Sequence, residues 1–269
     1  MSVAGNDINV EGAVKGGAAG QPTAPTTPGR PSVGRWALQP LTCAFAVAGA
    51  LAYVTVADVS ESERRSLSVS HLLQLLREHL VISLSATVLT CVVAIPVGIA
   101  LTRGSMRRYS KPIITVAGFG QAAPAIGLIA LGAVVFGIGQ LGAIVALTVY
   151  GAMPIIANTV TGLDGVDRRI VEAARGMGLS AFSTLRRVEL PLSLPVIVAG
   201  VRTALVLIVG TAALASFTGG GGLGQLITTG IKLQQPVTLI VGAILVAALA
   251  LFIDWLARLI EMVAAPRGL

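Results

Sequence analysis

Long apolar runs alternate with short polar segments along this chain, and the alternation is far too coarse for strands. The first run covers about Trp36–Ala57. A polar stretch, Asp58–His79, follows, and within it SVSHLLQLLREH sets Leu72, Leu73, Leu75 and Leu76 beside charged positions, the pattern of a short amphipathic helix lying at a membrane surface. The second run, Leu80–Leu101, has no charge, and RGSMRRYSK comes next with four basic residues and no acidic one. From Pro112 to Leu163 there is again no charge. That stretch is too long for one crossing, because about 20 helical residues already span about 30 Å of hydrocarbon. The sequence Gly137-Ile138-Gly139-Gln140 is the expected break, giving spans near Pro112–Phe136 and Leu141–Val160. A charged, helix-prone segment, EAARGMGLSAFSTLRRVELP at 172–191, separates these from a fifth run, Val196–Phe217. The glycine-rich TGGGGLGQLITTGIKLQQ then leads to a sixth, Pro236–Leu256.

Composition agrees with this pattern. The chain is 54% hydrophobic and 12% charged, against about 25% charged in a soluble domain. In lipid every backbone polar group must be paired within the chain, which leaves helices or closed barrels. Barrel strands would alternate over about ten residues, so the expectation is an all-α integral membrane protein with about six transmembrane helices. Residues 1–35, rich in Gly, Ala, Pro and Thr, read as a disordered tail. The length of the first run and the lack of an A-x-A site after it favour a retained helix at 36–57 over a signal peptide.

Basic residues set the orientation. With both termini in the cytoplasm, 15 of the 19 Lys and Arg lie on the inner side, leaving Arg64, Arg65, Arg77 and Lys232 outside. The net charge of +7 is thereby explained without nucleic acid. Arg202 and Asp254, near span ends, are expected to snorkel to the interface.

Several chemistries lack their residues. Cys43 and Cys91 both fall in spans, which disfavours a disulfide or a thiolate metal site. His71 and His79 read as solvated surface residues, with no further ligands to make a metal set. No carboxylate sits mid-span for a proton-driven carrier, and no converging acids or histidines suggest a membrane enzyme. Gly219, Gly221 and Gly224 satisfy G-x-G-x-x-G, but they follow a lipid-type helix rather than a strand, so no dinucleotide site is implied. There is no phosphate-binding G-x-x-x-x-G-K-[ST] sequence. The chain is therefore expected not to be an enzyme and to hold no cofactor or metal.

The 172–191 segment has the makings of a helix, a turn and a second helix. Asp167 can cap the first, with Ile170, Ala174 and Met177 on one face. Arg168–Glu172 and Glu172–Arg175 pairs are available along it, and Gly178 can take the left-handed conformation that ends it. Ser180 can cap a second helix, Ala181–Val188, and Pro191 and Pro195 should stop it from running into the fifth span. Its apolar knobs suit a groove on another protein.

This segment closely resembles the EAA loop of ABC-importer permeases: E-A-A, three residues, G, nine residues, I-x-L-P. Glu172-Ala173-Ala174, Gly178 and Leu190-Pro191 match at that spacing, with Val188 in place of isoleucine. The resemblance implies a type I ABC importer (MetI-like) permease fold, with the 80–269 transport domain carrying a cytoplasmic EAA coupling loop at 162–195. It also implies a loop that docks in a cleft of the ATP-hydrolysing subunit. Glu172 would help fix the loop, the alanines would allow close approach, and Gly178 would make the turn. Residues 110–256 further resemble the permeases for glycine betaine, carnitine, choline and related osmoprotectants, although permeases for other small solutes, amino acids among them, share much of these blocks. The implied partners are two ABC ATPase subunits that bind ATP and Mg, a second permease subunit, an extracytoplasmic solute-binding protein and the lipid bilayer of a bacterial cell membrane. An ATP-independent channel or secondary carrier is the weaker alternative. Phe119, Gln121, Tyr150 and Asn158 are candidates for lining the path, with helix packing as their competing role.

Overall fold

A computed structural model describes residues 33–122 and 124–264, with the side chains of residues 33–36, 117, 119–122, 263 and 264 outside the description. The tail expected over 1–35 lies almost wholly outside the described residues. Among those described, regular structure is helical throughout. Among the described residues, five helices are long and apolar enough to cross a membrane.

Helix α1, Val33–Val56, is followed by the short α2, Glu61–Ser66. Ser60 caps α2 in a capping box closed by Glu63, whose side chain accepts from the Ser60 N–H at 3.0 Å. Helix α3 then runs unbroken over Val69–Leu101. The separate surface helix expected before residue 80 is therefore the first part of this span. Neither Gly nor Pro interrupts residues 69–95, and nothing else in the sequence breaks the helix there. Of the four leucines of that expected surface helix, Leu75 is buried with Leu223, Leu226 and Val241, Leu72 and Leu76 pack on that cluster, and Leu73 is exposed.

The third expected span is not one helix. It is α4, Ser110–Ala122, and α5, Ala125–Phe136, broken at Pro124. Pro124 has ψ 120°, outside the helical range, and proline both lacks an N–H and disfavours helix in the residue before it. At 1.5 Å per residue each piece measures roughly 18–20 Å, short of the hydrocarbon thickness. The expected break at Gly137–Gly139 is present, with φ +91° and +129° at the two glycines. Helix α6, Gln140–Asp164, follows.

Helix α6 is the centre of the bundle, with α3 and α9 (Leu190–Thr211) packed against it. Close backbone approach makes this possible. A β-carbon added at Gly200 of α9 would stand 2.9 Å from the Pro154 carbonyl oxygen and 2.6 Å from Asn158 Cβ. Ile82, Ala86, Leu147 and Ile208 form one buried cluster of this core, and Ala94, Ile155 and Ala204 another. Helix α9 leads through a 3₁₀ turn, Ala212–Thr218, to the glycine-rich loop, then to α10, Gly224–Lys232, and α11, Pro236–Ala264. Helix α11 packs on α1, α9 and α10.

Two polar expectations are corrected by this packing. His79 is not a solvated surface residue: it is fully buried, its Nε2 lying 2.9 Å from the Val209 carbonyl oxygen, because α3 and α9 close over it. Arg202 and Asp254 do not reach separately for solvent. Arg202 donates to Glu261 at 2.7 Å and lies 3.9 Å from Asp254, which also receives Arg258 at 2.6 Å and Gln39 of α1 at 3.3 Å. Charges in an apolar surround gain more from each other than from a long reach to water.

Candidate functional site

Between α6 and α9 lies the segment with the charged motif, and it folds as a helix, a turn and a second helix. Helix α7, Arg168–Gly176, starts at Asp167, whose Oδ1 accepts the Arg169 N–H at 2.9 Å. It ends in two nested bonds: the Leu179 N–H to the Ala174 carbonyl at 3.2 Å, and the Gly178 N–H to the Arg175 carbonyl at 2.9 Å. This is a Schellman closure, and it requires a left-handed residue at Gly178, which has φ +87°. Ser180 then caps α8, Ala181–Thr184, by accepting the Ser183 N–H at 3.2 Å.

The second helix does not stop at the prolines. A π-helical turn, Leu185–Glu189, joins α8 to α9, so helix continues from Ala181 to Thr218. Pro191 is the second residue of α9, which directly follows the π turn. The preceding turn is closed by the Leu190 N–H on the Leu185 carbonyl, one residue wider than an α-turn. That extra residue makes room for the proline ring without ending the helix. Val188 and Leu190 are half-buried, and Pro191 is exposed.

The faces of α7 divide differently from the expectation. Ala174 is buried against the chain, while Ile170 and Met177 point outward, 47% and 76% exposed. Phe182, on α8, is 71% exposed. Glu172 and Ala173 are exposed as well. Among the described residues Glu172 forms no ion pair, so neither Arg168 nor Arg175 is bonded to it. The outer surface of the loop thus presents Ile170, Met177 and Phe182 with an unpaired carboxylate beside them.

A cleft of about 320 Å³ opens between this loop and the residues that follow α3, lined by Arg103, Arg107, Asp164, Arg168, Glu172 and Glu189 among others. Two ion pairs cross it. Arg107 donates to Asp164, the last residue of α6, at 3.0 Å. Arg103 pairs with Glu189, the last residue of the π turn. Glu189 is 5% exposed, and its second oxygen has no partner in the protein. The motif match covered Glu189 only as an unspecified position; its being the sole acid between Glu172 and Asp254 was the available signal.

Of the path candidates, Tyr150 and Asn158 have described side chains. Tyr150 is half-buried on α6. Asn158 donates from Nδ2 to the Pro154 carbonyl at 2.8 Å and lies against Gly200, where α6 meets α9. Phe119 and Gln121 fall on α4, but their side chains lie outside the described residues. Among the described residues no group of His, Cys, Asp or Glu could hold a metal.

A membrane bundle of this form, with a helix–turn–helix projecting between two of its central spans, defines the permease subunit of an ABC importer. The solved MetNI methionine ABC transporter, in inward-facing conformations, has the same fold: a TM-score of 0.66 at 25% identity, over 77% of this chain and 100% of that one. The chain belongs to the family described as binding-protein-dependent transport system inner membrane component, which matches residues 94–262. It is 42% identical over 192 residues to the glycine betaine/carnitine/choline transport system permease protein OpuCB of Bacillus subtilis, covering 71% of this chain and 88% of that protein. The same figures hold for the choline transport system permease protein OpuBB of that organism. The osmoprotectant import permease protein OsmW of Salmonella typhimurium is 35% identical over 207 residues, covering 75% of this chain and 95% of its own. The chain is thus a multi-pass inner-membrane transport subunit and not itself an enzyme. ATP hydrolysis belongs to a separate ATPase subunit, and a substrate-binding protein is its other kind of partner.

Proposed function

We propose that this chain carries a small compatible solute of the glycine betaine, choline, carnitine or proline type into the cytoplasm by ATP-driven alternating access. The observation that carries the reading is the exposed helix–turn–helix at Asp167–Pro191, which leaves Ile170, Met177 and Phe182 uncovered at one end of the bundle. Two ATPase subunits would take these loops, one from each permease of a homo- or heterodimer. Glu172, Ala173, Ala174, Gly178, Val188, Leu190 and Pro191 would form the coupling element. Both termini and this loop would face the cytoplasm. An extracytoplasmic binding protein would deliver solute at the opposite end, and energy would come from the different nucleotide affinities of the two states.

The solute class rests on the names of the similar permeases. The low aromatic content, 4%, supports selection by the binding protein rather than by an aromatic cage in this chain. The test is reconstitution with the ATPase and binding protein, measuring ATP-dependent betaine uptake and competition by choline, carnitine, proline and an unrelated amino acid. Uptake that needs ATP and is competed by quaternary ammonium solutes is the expected result. Uptake without an ATPase, or competition by the amino acid alone, would overturn the reading.

A further inference from the structure

The polypeptide itself ties the coupling loop to only two spans, α6 at its start and α9 at its end. The structure adds a third connection. The segment Thr102–Tyr109 leaves the end of α3 and lies across both ends of the loop. Arg107 holds Asp164 where α6 ends, and Arg103 holds Glu189 where α9 is about to begin. We propose that this basic segment is a brace, and that Arg103 and Glu189 are the positioning pair that makes α3 move together with the loop. The proposal rests on the coupling reading above.

The two ion pairs are unequal. Arg107 and Asp164 are 53% and 42% exposed, so water and salt weaken their attraction. The Glu189 side chain is 6% exposed and the Arg103 side chain 35%. Glu189 Oε1 and Arg103 Nε are both buried without another partner. Water cannot replace Arg103 for such a carboxylate, so separating the pair would leave a bare buried charge. Glu189 also sits in the π turn, where the helix that continues into α9 departs from α geometry next to the loop. Such turns are places where a helix kinks. Arg103 holds the far edge of this turn, so a pull on the loop is expected to carry α8, the turn and the brace together. Because α3 packs along α6 and also touches α9, its displacement would reach the core that lines any central path.

The test uses the whole complex, permease with its ATPase and binding protein, in proteoliposomes. The quantity read is solute taken up per ATP hydrolysed. Glu189→Gln is expected to lower this ratio about tenfold, within the usual range for coupling between sites. Asp164→Asn is expected to change it by less than about twofold, as an exposed pair should. The exchange Arg103→Glu with Glu189→Arg is expected to recover part of the ratio, which ties the loss to the pair rather than to either residue alone. An assembled Glu189→Gln complex with an unchanged ratio would overturn the brace.

A second measurement leaves the pair intact. Spin labels at Ser105 and Ser183, in a chain with Cys43 and Cys91 replaced by serine, report the distance between the brace and α8 with and without nucleotide. The distance is expected to stay constant. A change on the order of a helical turn, about 5 Å, would overturn the proposal. Failure of the wild-type chain to bind the ATPase would instead refute the coupling reading itself.

Discussion

Glu78 accepts a hydrogen bond from the backbone N–H of Gly222 at 3.1 Å, although 144 residues separate them. Gln74 donates to the other carboxylate oxygen at 3.0 Å. Together they fasten the glycine-rich loop to α3 at the end of the bundle opposite the coupling loop. Gly222 has φ +79°, and a β-carbon there would lie 3.1–3.2 Å from His79. Gly222→Ala should therefore lower stability by roughly 1–2 kcal/mol from the left-handed backbone alone. Glu78→Ala should leave the fold intact and raise amide hydrogen exchange at 219–224. Unchanged exchange would show that the carboxylate does not hold the loop.

Two close helix contacts in the core differ in what could yield. A β-carbon at Gly151 would meet the end of the Ile208 side chain, Cδ1 at 2.5 Å, which can rotate away. One at Gly200 would meet the Pro154 carbonyl oxygen at 2.9 Å, which cannot. Gly200→Ala is expected to cost about 1–3 kcal/mol as overpacking, and Gly151→Ala less. Thermal unfolding of the purified protein in detergent would rank them; the reverse order would contradict the packing of α6 on α9.

Coupling should depend on the turn at Gly178 rather than on space around it. Nothing lies within 4 Å of a β-carbon placed there, but φ is +87°. Gly178→Ala should be tolerated with partial loss of uptake. Gly178→Pro, whose ring holds φ near −65°, should abolish it. Asp167→Ala removes the α7 cap and should cost about 1 kcal/mol of local helix stability. Uptake rates and loop proteolysis would check all three.

The charge networks should also separate by burial. Glu61 and Arg65 are about four-fifths exposed, so Glu61→Ala should change stability by under about 1 kcal/mol. Asp254, 14% exposed, joins Arg202, Arg258 and Gln39. Asp254→Ala should destabilise clearly more and loosen α1 from α11, visible as faster proteolysis of α1. Equal effects from the two substitutions would argue against a buried network.

The apolar runs foretold which segments are helices in lipid, because length and lack of charge decide that locally. The turn of the loop was equally legible, since Asp167, Gly178 and Ser180 act within a few residues of themselves. Pro191 and Pro195 misled: helix-breaking was the local expectation, and a π turn ending two residues earlier absorbed the first of them. Pro124 misled in the other direction, ending a helix inside an apolar run that looked continuous.

By itself the sequence determined a membrane-crossing helical chain with a capped helix–turn–helix between two spans, because periodicity, capping and glycine φ are short-range physics. Tertiary structure decided the rest: that α6 is the centre, that His79 is buried under α9, and that Glu189 meets Arg103 across 86 residues. A buried charge finds its partner in space, and no spacing along the chain records that choice.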